Sequence, residues 1–323
     1  MAHRWITSLV IGMLALSALP GLAAAEYPDH PIRIIVPFSA GGAVDGPMRV
    51  IAQELGKRLG QAVYVENKPG AGATIGSDLV AKAPPDGYTL LLASQTNAIS
   101  ASLYSKLAFN PVDDFAPISL IGREQAVLAV TPSMPVNTVQ ELIAYANAHP
   151  GEVNYASSGN GSGQHLMAAM FASMAGIKMT HVPYRGSAPA MNDVIGGRVP
   201  VVMPGLAGTA GLIKSGQLRA LAVSGTTRSP QLPDVPTLAA SGLPQYSAYI
   251  WMGLLAPKGT PRPIIDKLNA TLAQVLQEPQ VKEFMAKGSI DITNGTPEEF
   301  DRFFREEKAR WAAVIKETGA YVN

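Results

Sequence analysis

The sequence predicts an α/β protein folded as two lobes. Three observations carry this expectation: short β-branched runs alternate with amphipathic helical stretches, the alternation occurs twice, and the chain then returns to one strand-like run and a set of helices. A length of 323 residues suits two domains of ordinary size, each with its own core. The composition, 47% hydrophobic and 15% charged, is that of a packed globular chain. The 25 Lys and Arg nearly cancel the 24 Asp and Glu, and neither sign forms a long block. Without an electrostatic footprint for nucleic acid or an anionic membrane, any anion must be caught locally.

Residues 1–25 read as a signal peptide. His3 and Arg4 give a positive start, residues 6–19 an apolar core, and Ala23, Ala24 and Ala25 a small-residue cleavage site before Glu26. The apolar run is shorter than the ~20 residues of a membrane-spanning helix. Cleavage near Ala25 removes one arginine and leaves a formally neutral chain. There is no cysteine, so neither a lipid anchor nor a disulfide is available, and the exported protein must be stabilised by its core. The expected location is the bacterial periplasm.

The first lobe opens on the apolar run 32–38, the small-residue loop 39–45, and a helix over 47–59 with Met48, Ile51, Ala52, Leu55 and Leu59 on one face. Pro47 near its start and Gly60 past its end fit the asymmetry of helix boundaries. Strand 63–66, loop 67–73, helix 75–83, a turn at 84–87 and strand 88–93 complete a β-α-β-α-β set, whose natural outcome is a parallel sheet with helices on its faces. Ser94, Gln95, Thr96 and Asn97 read as a polar loop at the end of that third strand, either part of a site or a solvated turn. Extended apolar runs follow at 118–121 and 126–131, and the Thr138 to Glu141 capping box opens a helix to about residue 148.

A second set comprises strand 153–156, loop 157–163, helix 164–175, strand 179–184, helix 188–195, strand 199–203, a short helix ending at 215, and strand 218–223. The return contains the apolar run 248–256, helices to about 276 and over 279–287, and a last helix that Thr296 and Glu299 cap. Lobe 1 is therefore expected to hold residues 26–123 and 247–323, and lobe 2 residues 124–246. Each lobe should be a mainly parallel sheet flanked by helices. Two crossing segments make a hinge, with a cleft beside it.

Function is expected at two loops. Ser39, Ala40, Gly41, Gly42 and Asp45 lead into a helix whose first N–H groups lack intrahelical partners and sit at the positive end of its dipole, so backbone alone can hold an anion there. Ser157, Ser158, Gly159 and Ser162 repeat this logic in the second set. One jaw per lobe suits a small molecule with an anionic group at each end, or one shared between the jaws. His165 lies in the first helical turn behind the second jaw, able to donate to a ligand or to cap its own loop. Tyr184 and Arg185 end the next strand, where Arg185 could meet a carboxylate or remain a surface side chain.

Enzyme signatures are weak. The glycines at 70, 72 and 76 are spaced one residue too long for a dinucleotide fingerprint, no phosphate-loop ending occurs, and Ser162 lacks the glycine two positions earlier that a nucleophile elbow needs. His30, His149, His165 and His181 show no metal-ligand spacing. No catalytic residue, metal or cofactor is expected.

Several motifs in order resemble the Bug family, the periplasmic solute receptors of tripartite tricarboxylate transporters. They are Phe38 to Gly42 with Asp45, Val65 to Gly72, Pro85 to Leu90, Tyr155 to Gly159 with Gly161, Ser162, His165 and Leu166, His181 to Tyr184, and Leu218 to Val223. The match extends to Trp251, Ala256, Pro257 and the Thr296 to Glu298 turn. The resemblance implies a two-lobed, type II-like periplasmic binding protein that closes on a small carboxylate. Backbone N–H groups, hydroxyls and ordered water of the two jaws would hold the ligand, with Phe38, Ser94, Thr96 and Met203 among the site residues. It also implies delivery to an inner-membrane permease, with a monomer expected; the alternative is a periplasmic enzyme or sensor partner on the same scaffold. The chain departs from the family pattern at Met203 and Pro204, where Phe-Asp is frequent, at Ala169 in place of an acidic residue, and at Ser39, Ala43 and Val44 in the first jaw. These departures point to a ligand without an ammonium group, a plain or aromatic carboxylate.

Overall fold

The computed structural model describes residues 27–41, 44–104 and 106–320. The expected signal peptide, its cleavage site, and Gly42 and Ala43 of the first jaw lie outside the described residues. Among the described residues, eleven strands form two mixed sheets, one of six strands and one of five.

The six-stranded sheet starts with β1 (Ile32–Val36), β2 (Val63–Asn67) and β3 (Thr89–Ser94), connected by α1 (Asp45–Leu59) and α2 (Thr74–Ala81). β1 pairs in parallel with both neighbours. Its continuous apolar run has a simple cause. Ile32, Ile34 and Val36 enter one core while Ile35 enters another, and Leu90 and Leu92 of β3 separate from Leu91 and Ala93 in the same way. A sheet covered on both faces needs apolar residues at every position rather than at alternate ones.

β3 runs directly into α3 (Gln95–Leu103), the polar stretch expected as a loop. Ser94 accepts from the helix backbone while the Asn97 side chain accepts from the Ser94 N–H, so the polar residues form a capping box. β4 (Phe115–Gln125) follows, and the chain then leaves for the second sheet. There β5 (Val127–Val130), β6 (Asn154–Ser157), β7 (Thr180–Pro183), β8 (Val201–Val202) and β9 (Arg219–Val223) adopt the order β7-β6-β8-β5-β9. Helices α4 (Val139–Ala148), α5 (Gly163–Ala175), α6 (Ser187–Ile195) and α7 (Ala210–Lys214) connect them.

The return strand β10 (Tyr249–Pro257) inserts antiparallel between β3 and β4. Helices α8 (Arg262–Val275) and α9 (Pro279–Lys287), strand β11 (Ile290–Ile292) and helix α10 (Pro297–Thr318) complete the chain. The first sheet thus reads β11-β4-β10-β3-β1-β2. Its β-α-β half is parallel as the sequence predicts. Antiparallel pairs come from β10 and β11, and in the second sheet from β5, which opposes both β8 and β9.

The crossings lie between β4 and β5 and between β9 and β10, and one hydroxyl ties them. Ser224 Oγ, fully buried, accepts from the Ala126 N–H at 2.8 Å and donates to the Ala248 carbonyl at 2.6 Å. One continuous core joins the two sheets: Leu91 and Ile35 share it with Leu128, Val130, Phe171, Trp251 and Trp311. α10 packs on α3 and β4 of the first sheet and on α5 of the second.

Candidate functional site

The first jaw is built on Asp45. Its Oδ2 accepts from the Gly41 N–H and from Arg49 Nε, both at 2.9 Å, and its Oδ1 accepts from Asn67 Nδ2 at 2.8 Å. The same Asn67 amide donates to the Phe38 carbonyl, and Arg49 closes the ring by donating to Asn67 Oδ1. Burial pushes the Asp45 pKa up, but Arg49, the Gly41 N–H and Asn67 outweigh it and hold the carboxyl at about 2. Asp45 therefore shapes the loop from beneath. Ser39, Ala40 and Gly41 are exposed at its rim.

The second jaw is held by two histidines. Ser162 caps α5 by accepting from the His165 N–H at 3.3 Å. His165 Nδ1 accepts from the Gly161 N–H at 3.1 Å, which assigns its ring proton to Nε2. His181 stacks on His165 with ring centroids 3.8 Å apart, and Tyr155 stacks against both, at 5.0 Å from His181 and 6.3 Å from His165. His181 Nε2 lies 2.6 Å from Ser157 Oγ, which in turn accepts from the Gly159 N–H. Burial pushes both histidines down to about 4, with the neighbouring His165 adding to the shift at His181, so both are neutral at pH 7. Neutral rings suit a loop that uses a ring nitrogen as an acceptor.

Between the jaws lies a cavity of about 330 Å³. Phe38, Gly72, Thr96, Ser100, Leu103 and Tyr104 line it from the first lobe, and Ser158, Asn160, Gly161, Ser162 and Gly163 from the second. Thr96, Ser100 and Leu103 are spaced four and three apart, so one face of α3 forms the wall. Among the described residues, no Asp, Glu, Lys or Arg lines this cavity. Hydroxyls, two helix N-termini and the apolar surfaces of Phe38, Leu103 and Tyr104 make up its chemistry. A more open hollow of about 500 Å³ lies on the first-lobe side, between α3, the segment after it and Lys308 of α10; Tyr104 borders both spaces.

Of the residues expected at the site, Phe38, Thr96, Ser158 and Ser162 line the cavity. Ser94, Ser157, Gly159 and His165 stand behind it as caps and loop supports. Tyr184 donates its hydroxyl to Asp193 Oδ2 at 2.7 Å, and Arg185 is exposed. Met203 is fully buried, its sulfur accepting from Tyr246 Oη. Ser100, Leu103 and Tyr104 escape a sequence reading that takes residues 94–97 for a loop; the Ser94 and Asn97 capping pattern was the available signal. Arg49 and Asn67 escape it because their role is to bind Asp45.

A family model described as the tripartite tricarboxylate transporter family receptor matches residues 48–320. The chain belongs to this receptor family. BugT of Bordetella pertussis is 40% identical over 318 residues, which span 96% of this chain and 97% of BugT. Among solved structures, Rpa4515 of R. palustris with adipate superposes with a TM-score of 0.82 at 35% identity, covering 91% of this chain and 99% of that one. MatC from Rhodopseudomonas palustris with bound malate gives 0.79 at 31% identity, covering 90% of this chain and all of that one, 100%. Members of this family are solute-binding receptors rather than enzymes, and the two-sheet architecture with a cleft between matches theirs.

Proposed function

We propose that this receptor captures a small carboxylate without an ammonium group, a plain di- or tricarboxylate or an aromatic acid, and hands it to a tripartite tricarboxylate permease. The observation that carries the reading is the cavity shared by both lobes, with hydroxyls and helix N-termini but, among the described residues, no charged side chain in its lining. A fixed carboxylate there would repel an anion, yet an ammonium group would need one. Pro204, at the end of the second lobe's core, offers none. The acids bound to the two solved relatives support the ligand class.

In this reading Phe38, Thr96, Ser158 and Ser162 touch the ligand, the exposed residues Ser39, Ala40 and Gly41 close over it, and Asp45, Ser157 and His165 hold the loops in place. Residues 26–123 with 247–323 and residues 124–246 move as two lobes about the crossings at Ala126 and Ala248. Residues 1–25 direct export and are removed near Ala25, and the receptor works as a periplasmic monomer.

The test is a thermal-shift panel of adipate, malate, citrate, benzoate and glutamate, followed by analysis of the recovered ligand. Ligand that binds only the folded state at ~100 times its Kd adds about 2.7 kcal/mol, several degrees in Tm for a chain of this size. At least one plain or aromatic acid is expected to do so and to be recovered unchanged. Stabilisation by glutamate with none by the other acids would overturn the ligand class, and no shift with any acid would overturn carboxylate capture itself.

A further inference from the structure

Helix α3 reaches across the cleft at two points. A Cβ placed on Gly161 would lie 2.1 Å from Leu103 Cδ2, and one placed on Gly163 would lie 1.5 Å from Gln95 Nε2. Gln95 and Leu103 belong to the first lobe, and the two glycines to the second jaw. Both side chains are buried, at 5% and 3% exposure, and Gln95, unlike Leu103, does not line the cavity, so its end has little open space to swing into. The Gln95 carbonyl oxygen is itself buried without a hydrogen-bond partner, so no hydrogen bond fixes that end of the carboxamide.

The two glycines differ in what requires them. Gly161 has a φ of 71°, a left-handed conformation that favours glycine whatever its neighbours. Gly163 has no such conformation; it is the first residue of α5, where alanine would suit the helix better. At position 163 the reason for glycine is the Gln95 side chain opposite. Gly161, Gly163 and Leu103 all line the cavity, so these contacts lie at its edge.

We propose that Gln95 and Leu103 are spacers: seated in notches at Gly163 and Gly161, they set the separation of the two jaws and thereby the length of acid the cleft accepts. The consequence for length selection rests on the receptor reading, whereas the effect on jaw separation does not. Neither residue needs to touch the ligand. They act by positioning the walls that do, so a change in jaw separation alters which diacid spans from α3 to the second jaw.

The chain has no cysteine, so paired spin labels at introduced cysteines report the lobe separation directly. Gln53 of α1 and Asn192 of α6 are exposed and do not line the cavity. Gly163→Ala is expected to lengthen the mean label distance, and Gln95→Ala in the same chain to restore it. Gln95→Ala alone adds no atom to the fold and is expected to shorten the distance. On the acid panel, Gly163→Ala should move the adipate-to-malate affinity ratio toward the longer acid by about tenfold, with reversal in the double variant. Unchanged distances in both single variants, or a lengthened distance that Gln95→Ala does not reverse, would overturn the proposal. If no acid binds the wild type, the receptor reading fails while the distance measurements still decide the spacer role.

Discussion

Asp45 places a full negative charge beneath a loop suited to anions, and the loop tolerates it because three partners use up the charge. Gly41, Arg49 and Asn67 donate to its oxygens, and Asn67 carries the constraint on to Phe38. Asp45→Ala leaves the Gly41 N–H and the Asn67 amide short of an acceptor, a loss of about 1–3 kcal/mol. It should lower Tm by several degrees and weaken acid binding, both readable in one thermal-shift series. With the folded carboxyl at about 2, below its ordinary 3.8, the wild-type contribution is present above pH 3.8 and disappears as pH falls toward 2. Asp45→Ala should therefore lose less stability than wild type across that range. From the sequence, Asp45 could be assigned to the first jaw but not to its underside, because spacing along the chain does not say which way a side chain turns.

At the level of elements, the β-α-β core followed from patterns that physics makes local. Apolar runs marked β1 and β3, Pro47 and Gly60 bounded α1, and the Thr296 and Glu299 capping box opened α10. The Thr138 box is realised in part: Thr138 accepts from the Glu141 N–H, while Glu141 turns to the Asn137 N–H instead. α3 was hidden because its capping residues look like a loop, and β11 because three residues carry too little pattern. The hinge was foreseeable as two crossings but not its fastening. Ser224→Ala strands the buried Ala126 N–H and Ala248 carbonyl, at a cost of about 1–3 kcal/mol. A fall in Tm of several degrees is expected; a melt identical to wild type would show that water or a shifted backbone replaces the hydroxyl.

The whole molecule is closed by α10, which packs on both lobes, against α3 and β4 of the first and α5 of the second. Trp251 of β10 and Trp311 of α10 donate their indole N–H groups to the same Glu307 oxygen, at 3.0 and 3.1 Å, inside the core common to the two lobes. Burial raises the Glu307 pKa against the pull of Arg310 and the two indoles, and burial likewise pushes Glu124, at the first crossing, up to about 7. These carboxyls and the histidines of the second jaw oppose one another. The depressed His165 and His181 contribute stability that is complete above pH 6.5 and is lost as pH falls toward 4. The raised Glu124 contributes below pH 4.5 and loses that contribution as pH rises through 7. Glu124→Gln keeps an acceptor for the Ala207 N–H but removes the titration. Its Tm should fall more steeply than wild type between pH 7 and 4.5; parallel profiles would contradict the raised carboxyl.

Local chemistry in the chain was enough for the α/β class, the two repeated sets, the two crossings and the pair of small-residue loops before helices. Each follows from contacts between residues close in sequence or from a period that burial imposes. The tertiary structure decided which residues share the cavity, because Thr96, Ser100 and Leu103 meet Ser158, Gly161 and Gly163 only after two sheets have packed and a strand has returned between them. It also decided that Met203 supports the core and Asp45 the loop. Direction and depth of a side chain are set by what lies across from it, and across the cavity that is more than 50 residues away along the chain, as between Gln95 and Gly163.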